Sequence, residues 1–114
     1  SRECIAGKYT QIINDIGVCS APHIAECNTS TWAQYTISVE QRSEVIEKLK
    51  NSGVPTAVHY PLPLNKQDAV KDEKARLPIG DTAAIKVLSL PMHAYVLDSQ
   101  INHIGLAIAT ALEP

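Results

Sequence analysis

Gly53-Val54-Pro55-Thr56-Ala57-Val58-His59-Tyr60-Pro61-Leu62-Pro63-Leu64-Asn65-Lys66-Gln67 is the stretch on which the rest of the chain turns. It reads as a glycine that ends a helix, a short apolar strand, then a histidine and a tyrosine delivered into a proline-broken loop. Thr56, Ala57 and Val58 suit a pleated, largely buried strand. Pro61 and Pro63 donate no backbone hydrogen bond and cannot continue into a central strand, so the strand should stop near Tyr60. A residue before proline is pushed out of the α region, which holds Tyr60 and Leu62 extended and makes Tyr60 to Pro63 a stiff segment. His59 and Tyr60 are adjacent, so they point to opposite faces while the chain stays extended; a bend at Pro61 would bring both to one ligand. Stiff display lowers the entropy lost when a guest binds.

Working back from Gly53, the residues Arg42, Val45, Ile46 and Leu49 form the inward stripe of a helix running to Ser52. Ser38 with Gln41 three residues on is a candidate capping box, Glu44 and Lys48 form a favourable exposed pair, and Pro55 bars the helix from resuming. Before it, Trp32, Gln34, Thr36 and Ser38 alternate with Thr31, Ala33, Tyr35, Ile37 and Val39, which predicts a strand over 31–38 with one better-buried face. Strand, helix and strand over about thirty residues is the size of a βαβ unit, whose crossover should be right-handed. Further back, Ile5, Tyr9, Ile12, Ile13 and Ile16 share one face of a helix over Arg2 to Ile16, with Gly17 placed for a left-handed cap. Between them, Val18 to Ser30 reads as an irregular connector with a short edge strand. Cys19, His23 and Cys27 recur every four residues there, but Pro22 breaks the helix that would align them as metal ligands, and no metal site is assigned.

Beyond the loop, Lys71 to Arg76 is charged and exposed, and Asp81 is expected to cap a short helix through Ala83, Ala84 and Val87. A brief strand, Val87 to Leu90, is closed by Pro91. Asp98 or Ser99 should cap a last helix whose stripe is Ile101, Ile104, Gly105, Ile108 and Leu112. The expected class is α+β, an α/β two-layer domain: a small sheet with a βαβ unit covered by helices, the first and last of them on the same side.

With 114 residues, of which 45% are hydrophobic, the chain makes one domain that buries roughly two-thirds of its unfolded surface. There is no Phe and a single Trp, so the core must be aliphatic. A net charge of −2 and a pI near 6 offer no basic field for a phosphate backbone, which argues against nucleic acid as a partner. The lysines near the loop alternate with Asp68, Asp72 and Glu73, the pattern of a solvated surface. No apolar run reaches the roughly 20 residues of a membrane span. Three widely spaced cysteines fit reduced thiols, and the expected setting is cytoplasmic. Helical periodicity begins at once, without an initiator Met, so the chain is expected to be the C-terminal domain, residues 1–114, of a longer protein.

The order of Trp32-Ala33-Gln34-Tyr35-Thr36-Ile37, Gly53-Val54-Pro55-Thr56, His59-Tyr60-Pro61-Leu62-Pro63-Leu64, Gln67 and Leu88-Ser89-Leu90-Pro91-Met92-His93 resembles the C-terminal part of the DegT/StrS family. These are aminotransferases that use pyridoxal phosphate to act on nucleotide-linked keto sugars. The resemblance implies the small C-terminal domain of fold-type I aminotransferases, in a homodimer with shared active sites. It also implies that the loop reaches a nucleotide-sugar site, with His59, Tyr60, Asn65 and Gln67 binding substrate. Asn65 stands where similar proteins often have histidine, so hydrogen bonding survives there while an acid–base role does not. The wording is most similar to enzymes acting on UDP-linked 3-keto sugar acids for surface polysaccharides, with an amino donor such as glutamate.

Pyridoxal phosphate needs a Schiff-base lysine, an acid for the ring nitrogen and donors for its phosphate. In similar proteins the lysine belongs to the larger preceding domain, so no catalytic or cofactor-binding residue is assigned in this chain. By itself it is expected to be inactive. A stand-alone α+β module that binds a partner or small effector through the same loop is the rival reading. From spacing alone, His59 and Tyr60 fit either a binding role or hydrogen bonds made at a strand end. Trp32 reads as core.

Overall fold

The computed structural model describes residues 1–113. Helix α1 (Arg2–Ile16) buries Ile5, Ala6, Tyr9 and Ile13, with Ile12 and Ile16 half-buried beside them. It ends at Gly17, whose φ of 77° is left-handed and whose N–H bonds to Ile13 O. Glycine adopts that conformation at least cost.

Two antiparallel strands, β1 (Tyr35–Ser38) and β2 (Val87–Leu90), set Tyr35 opposite Leu90 and Ile37 opposite Leu88. A single residue pair widens the sheet at each edge, Ser20 with Ser38 and Ala57 with Ser89. Ser89 exchanges both backbone bonds with Ala57, at 3.1 and 2.8 Å. Thr36 therefore faces Ser89 across the other edge as a non-hydrogen-bonded pair, where side chains approach closely, and their hydroxyls bond at 2.9 Å.

The segments at β1 and Ala57 both run antiparallel to β2 and hence parallel to each other, joined through α2 (Arg42–Asn51). The expected βαβ unit is present in split form. Strand β2 lies between its two arms, and the second arm is reduced to one paired residue. The remaining helices are α3 (Pro78–Lys86) and α4 (Asp98–Ala111).

Helix α4 packs on both α1 and α2, which puts the first and last helices in one layer. A Cβ at Gly105 would lie 2.9 Å from Ile12 Cγ2, so glycine is what lets α1 and α4 approach here. Tyr9, Tyr35, Ile37, Leu88, Ile101 and Ile108 are essentially fully buried between helices and sheet. Tyr9 and Tyr35 meet at 5.1 Å between ring centroids, and the Tyr9 hydroxyl donates to Pro91 O at 2.7 Å. Burial, with the Tyr35 phenol beside it, pushes the Tyr9 hydroxyl up to about 12.

Several element ends differ from the sequence reading. Strand β1 begins at Tyr35 because Trp32, at φ 54°, turns out of the strand. Trp32 is half-buried and stacked on Tyr35 at 5.4 Å. Ser38 is not part of a capping box: its backbone is spent on Ser20, and α2 starts at Arg42 behind a left-handed Gln41 with no side-chain cap. Lys48 reaches Ala111 O at 3.4 Å, at the end of α4, rather than Glu44.

Asp81 does not cap α3, which begins earlier, at Pro78; proline presets φ for a first turn and lacks the N–H that would go unbonded there. Neither Asp98 nor Ser99 caps α4. Leu97 holds that position, and its N–H donates to Gln100 Oε1 at 2.8 Å.

Candidate functional site

Past Ala57 the chain leaves the sheet edge and returns only at β2. Residues 59–86 form this strap, with 3-10 turns at Leu64–Lys66 and Asp68–Val70 before α3. Among them only Ala84 is buried. Pro63 is extended, at φ −65° and ψ 158°, in keeping with the stiff proline segment.

His59 and Tyr60 lie on the surface, and Tyr60 is 68% exposed. Their rings meet edge to face, with centroids 5.5 Å apart at 74°, so both side chains serve one place. That place is a cleft of about 410 Å³ between the loop and the Gly80, Ala83 and Ala84 face of α3, with Val87 at the start of β2. The three helical positions share a face by their spacing, and their small side chains leave the cleft its room. Gln67 joins the lining; its Nε2 donates to Leu62 O at 3.2 Å, which fixes the amide and leaves its carbonyl oxygen to accept from a guest.

Asn65 is not brought into this lining. Its backbone carbonyl accepts the Asp72 N–H at 2.9 Å, and its Oδ1 is buried with no partner among the described residues. The structure thus gathers His59, Tyr60 and Gln67 and sets Asn65 apart. His59 also borders a second cleft, of about 400 Å³, with Gln34, Thr56, Ser89 and Met92, so it stands between two hollows.

Sequence reasoning missed the contacts that hold the strap down. Arg42 Nη1 donates to Ala84 O and, at 3.2 Å, to Val87 O. It thereby satisfies carbonyls at the end of α3, where a cation also suits the helix dipole. Lys66 Nζ lies 3.7 Å from Asp81 Oδ2 and ties the loop wall of the cleft to its helix wall. No pattern links these partners; Arg42 merely stood in a stripe of apolar positions, a hint that its head served something buried.

Two of the other histidines, His93 and His103, are engaged by backbone. His93 Nδ1 accepts the Tyr95 N–H at 3.2 Å. His103 is exposed as a side chain but bonds Ser52 O at 2.8 Å through Nε2, which must carry the proton because a carbonyl only accepts. Cys19, His23 and Cys27 lie outside helices, so their spacing does not align them. Among the described residues no three His, Cys, Asp or Glu side chains gather, and no helix is long and apolar enough to cross a membrane.

Residues 1–109 match the profile of the DegT/DnrJ/EryC1/StrS aminotransferase family. The chain is 49% identical over 107 residues to the UDP-2-acetamido-2-deoxy-3-oxo-D-glucuronate aminotransferase of Pseudomonas aeruginosa, across 94% of this chain and 30% of that protein. It is 31% identical to the pleiotropic regulatory protein of Geobacillus stearothermophilus, over 91% of this chain and 29% of that one. Among solved structures it is similar to a DegT DnrJ EryC1 StrS aminotransferase from Brucella abortus, with TM-score 0.86 and 31% identity, covering 96% of this chain and 30% of that one. It is also similar to S. venezuelae DesV, with TM-score 0.91 and 25% identity, covering 99% and 32%. The chain spans about 30% of the length of these curated relatives.

Proposed function

The chain belongs to the DegT/DnrJ/EryC1/StrS aminotransferase family, and on that footing we propose that it is the substrate-contacting C-terminal domain of a longer aminotransferase. That enzyme would move an amino group from an amino acid such as glutamate to a keto sugar carried on a nucleotide. A UDP-linked 3-oxo sugar acid is the preferred substrate, because the 49%-identical relative is named for one. Surface-polysaccharide synthesis, a cytoplasmic setting and a homodimer with shared active sites complete the proposal.

One observation carries it: an exposed His59–Tyr60 pair, with Gln67, faces a cleft that the strap and α3 form. The imidazole, phenol and amide offer hydrogen-bond donors and acceptors to sugar hydroxyls and to a carboxylate. Leu62, Ala83 and Val87 give the apolar contact that the flat face of a sugar or base needs. No Lys or Arg lines the cleft, so it suits the uncharged or carboxylate-bearing part of the substrate better than a diphosphate.

Members of this family depend on pyridoxal phosphate, which supplies the electron sink for moving the amino group. The cleft residues do not fit that cofactor. The nearest amine, Lys66 Nζ, is engaged with Asp81 at 3.7 Å, and the lining presents neither an acid for a ring nitrogen nor a cationic phosphate cradle. The work of this chain is therefore to bind and orient substrate. In the full-length protein, His59→Ala or Tyr60→Phe should raise the KM for the nucleotide sugar about three- to tenfold, the worth of one hydrogen bond, with cofactor absorbance retained. Equal loss of cofactor and sugar use would refute the assignment. Pyridoxal phosphate and borohydride should leave no stoichiometric lysine adduct on residues 1–114 alone.

A further inference from the structure

The strap contains a local shortage of donors that packing does not explain. Asp81 Oδ2 meets Lys66 Nζ at 3.7 Å, but Asp81 Oδ1 and Asn65 Oδ1 are both buried without a hydrogen-bond partner among the described residues. Carboxylate and amide oxygens accept hydrogen bonds, and no donor among the described residues reaches either atom. A buried acceptor left unbonded is costly, and such atoms are few in folded proteins. Here two belong to the two elements that a single ion pair joins: the 3-10 turn that carries Asn65 and Lys66, and the first turn of α3, which carries Asp81.

Those elements are also the two walls of the cleft. Gln67 follows the turn directly and Gly80 precedes Asp81, and both line the cleft. Any change in the spacing of Lys66 and Asp81 therefore alters the spacing of Gln67 from α3. We propose that Asp81 is a positioning residue for substrate, a latch that sets the width of the cleft through Lys66 at the expense of local stability. This inference rests on the cleft being the substrate site. Asp81 itself touches no substrate; it acts by holding the Leu64–Gln67 turn against α3.

The shortage of donors gives the latch a signature that an ordinary stabilising ion pair lacks. Asp81→Asn keeps the shape, gives the site a donor and removes the charge that draws in Lys66. It should raise or preserve the melting temperature of the full-length protein, yet raise the KM for the nucleotide sugar about two- to fivefold, the range of one lost, partly exposed ion pair. Cofactor content and kcat should stay within about twofold. Asp81→Glu, which keeps the charge, should restore much of the KM, and Lys66→Met should raise KM with no further effect when added to Asp81→Asn.

A lower melting temperature with unchanged KM in Asp81→Asn would make the pair merely structural and overturn the latch. His59→Ala, measured alongside, separates the two levels: if it raises KM while Asp81→Asn does not, the latch alone fails. If neither raises KM, the cleft is not the substrate site.

Discussion

The sheet with its helices and the strap are built on opposite terms. In the first, the large central side chains are out of water: Tyr9, Ile13, Tyr35, Ile37, Leu49, Leu88, Ile101 and Ile108 are all at most 1% exposed, and Leu106 of α4 stands outside at 69%. In the second, Tyr60, Leu62, Leu64, Val70, Leu77, Ile79 and Ile85 stay largely in water, with Ile79 at 86%. Burial at about 25 cal/mol per Å² pays for order in the core, while the strap is held by prolines, two Arg42 bonds and the Lys66–Asp81 pair. A region that keeps its apolar side chains outside is arranged for contact with something beyond itself.

The contrast can be broken most forcefully in the core. Ile108→Ala should destabilise by about 2–5 kcal/mol, read from urea unfolding; a loss under about 1 kcal/mol would mean that α4 is not the keystone of the helical layer. Next comes the join between the regions. Arg42→Met removes both bonds to the end of α3 and should cost about 1–3 kcal/mol, with amide exchange quickening in α3 well before β1. Uniform quickening across both would erase the distinction.

Tyr9→Phe should cost about 1 kcal/mol near neutral pH by releasing Pro91 O. The same residue sets an alkaline limit. Its folded-state value, pushed up to about 12, exceeds the ordinary phenol value, so the folded state keeps the proton longer than the unfolded one. Stability from this group is complete below about pH 10 and is lost as pH rises toward 12. Urea midpoints across that window should decline less steeply in Tyr9→Phe. Smallest of all, Ile79→Ser should change stability by no more than about 0.5 kcal/mol, since almost all of Ile79 is already in water. A larger loss would place Ile79 in a hidden part of the core.

The sequence showed the core plainly because its signals are periodic. The α1 face, the left-handed Gly17 and Gly53, the buried Tyr35, Ile37 and Val39, and the Val87–Leu90 strand closed by Pro91 all follow from spacing and backbone chemistry. Helix starts were harder, because Ser38, Asp81, Asp98 and Ser99 have the right chemistry for caps but other demands took precedence. The sheet claimed Ser38, and Pro78 set the start of α3. At the site, the two prolines marked a break in the strand but placed it near Tyr60, whereas pairing goes no further than Ala57. That Gln67 faces the cleft while Asn65 does not depends on one 3-10 turn, which no local propensity specifies. Lys66 and Asp81 lie far apart in sequence and meet only through the path of the strap.

The bond between Ala57 and Ser89 has a consequence for how such a protein can diversify. The strap, residues 59–86, leaves and rejoins the sheet beside that one pair, so the excursion is closed at its root. Lengthening or rewording such an excursion costs little in closure entropy and leaves the register of Tyr35 with Leu90 untouched. New guests could thus be accommodated by exchanging this single cassette on an unaltered chassis.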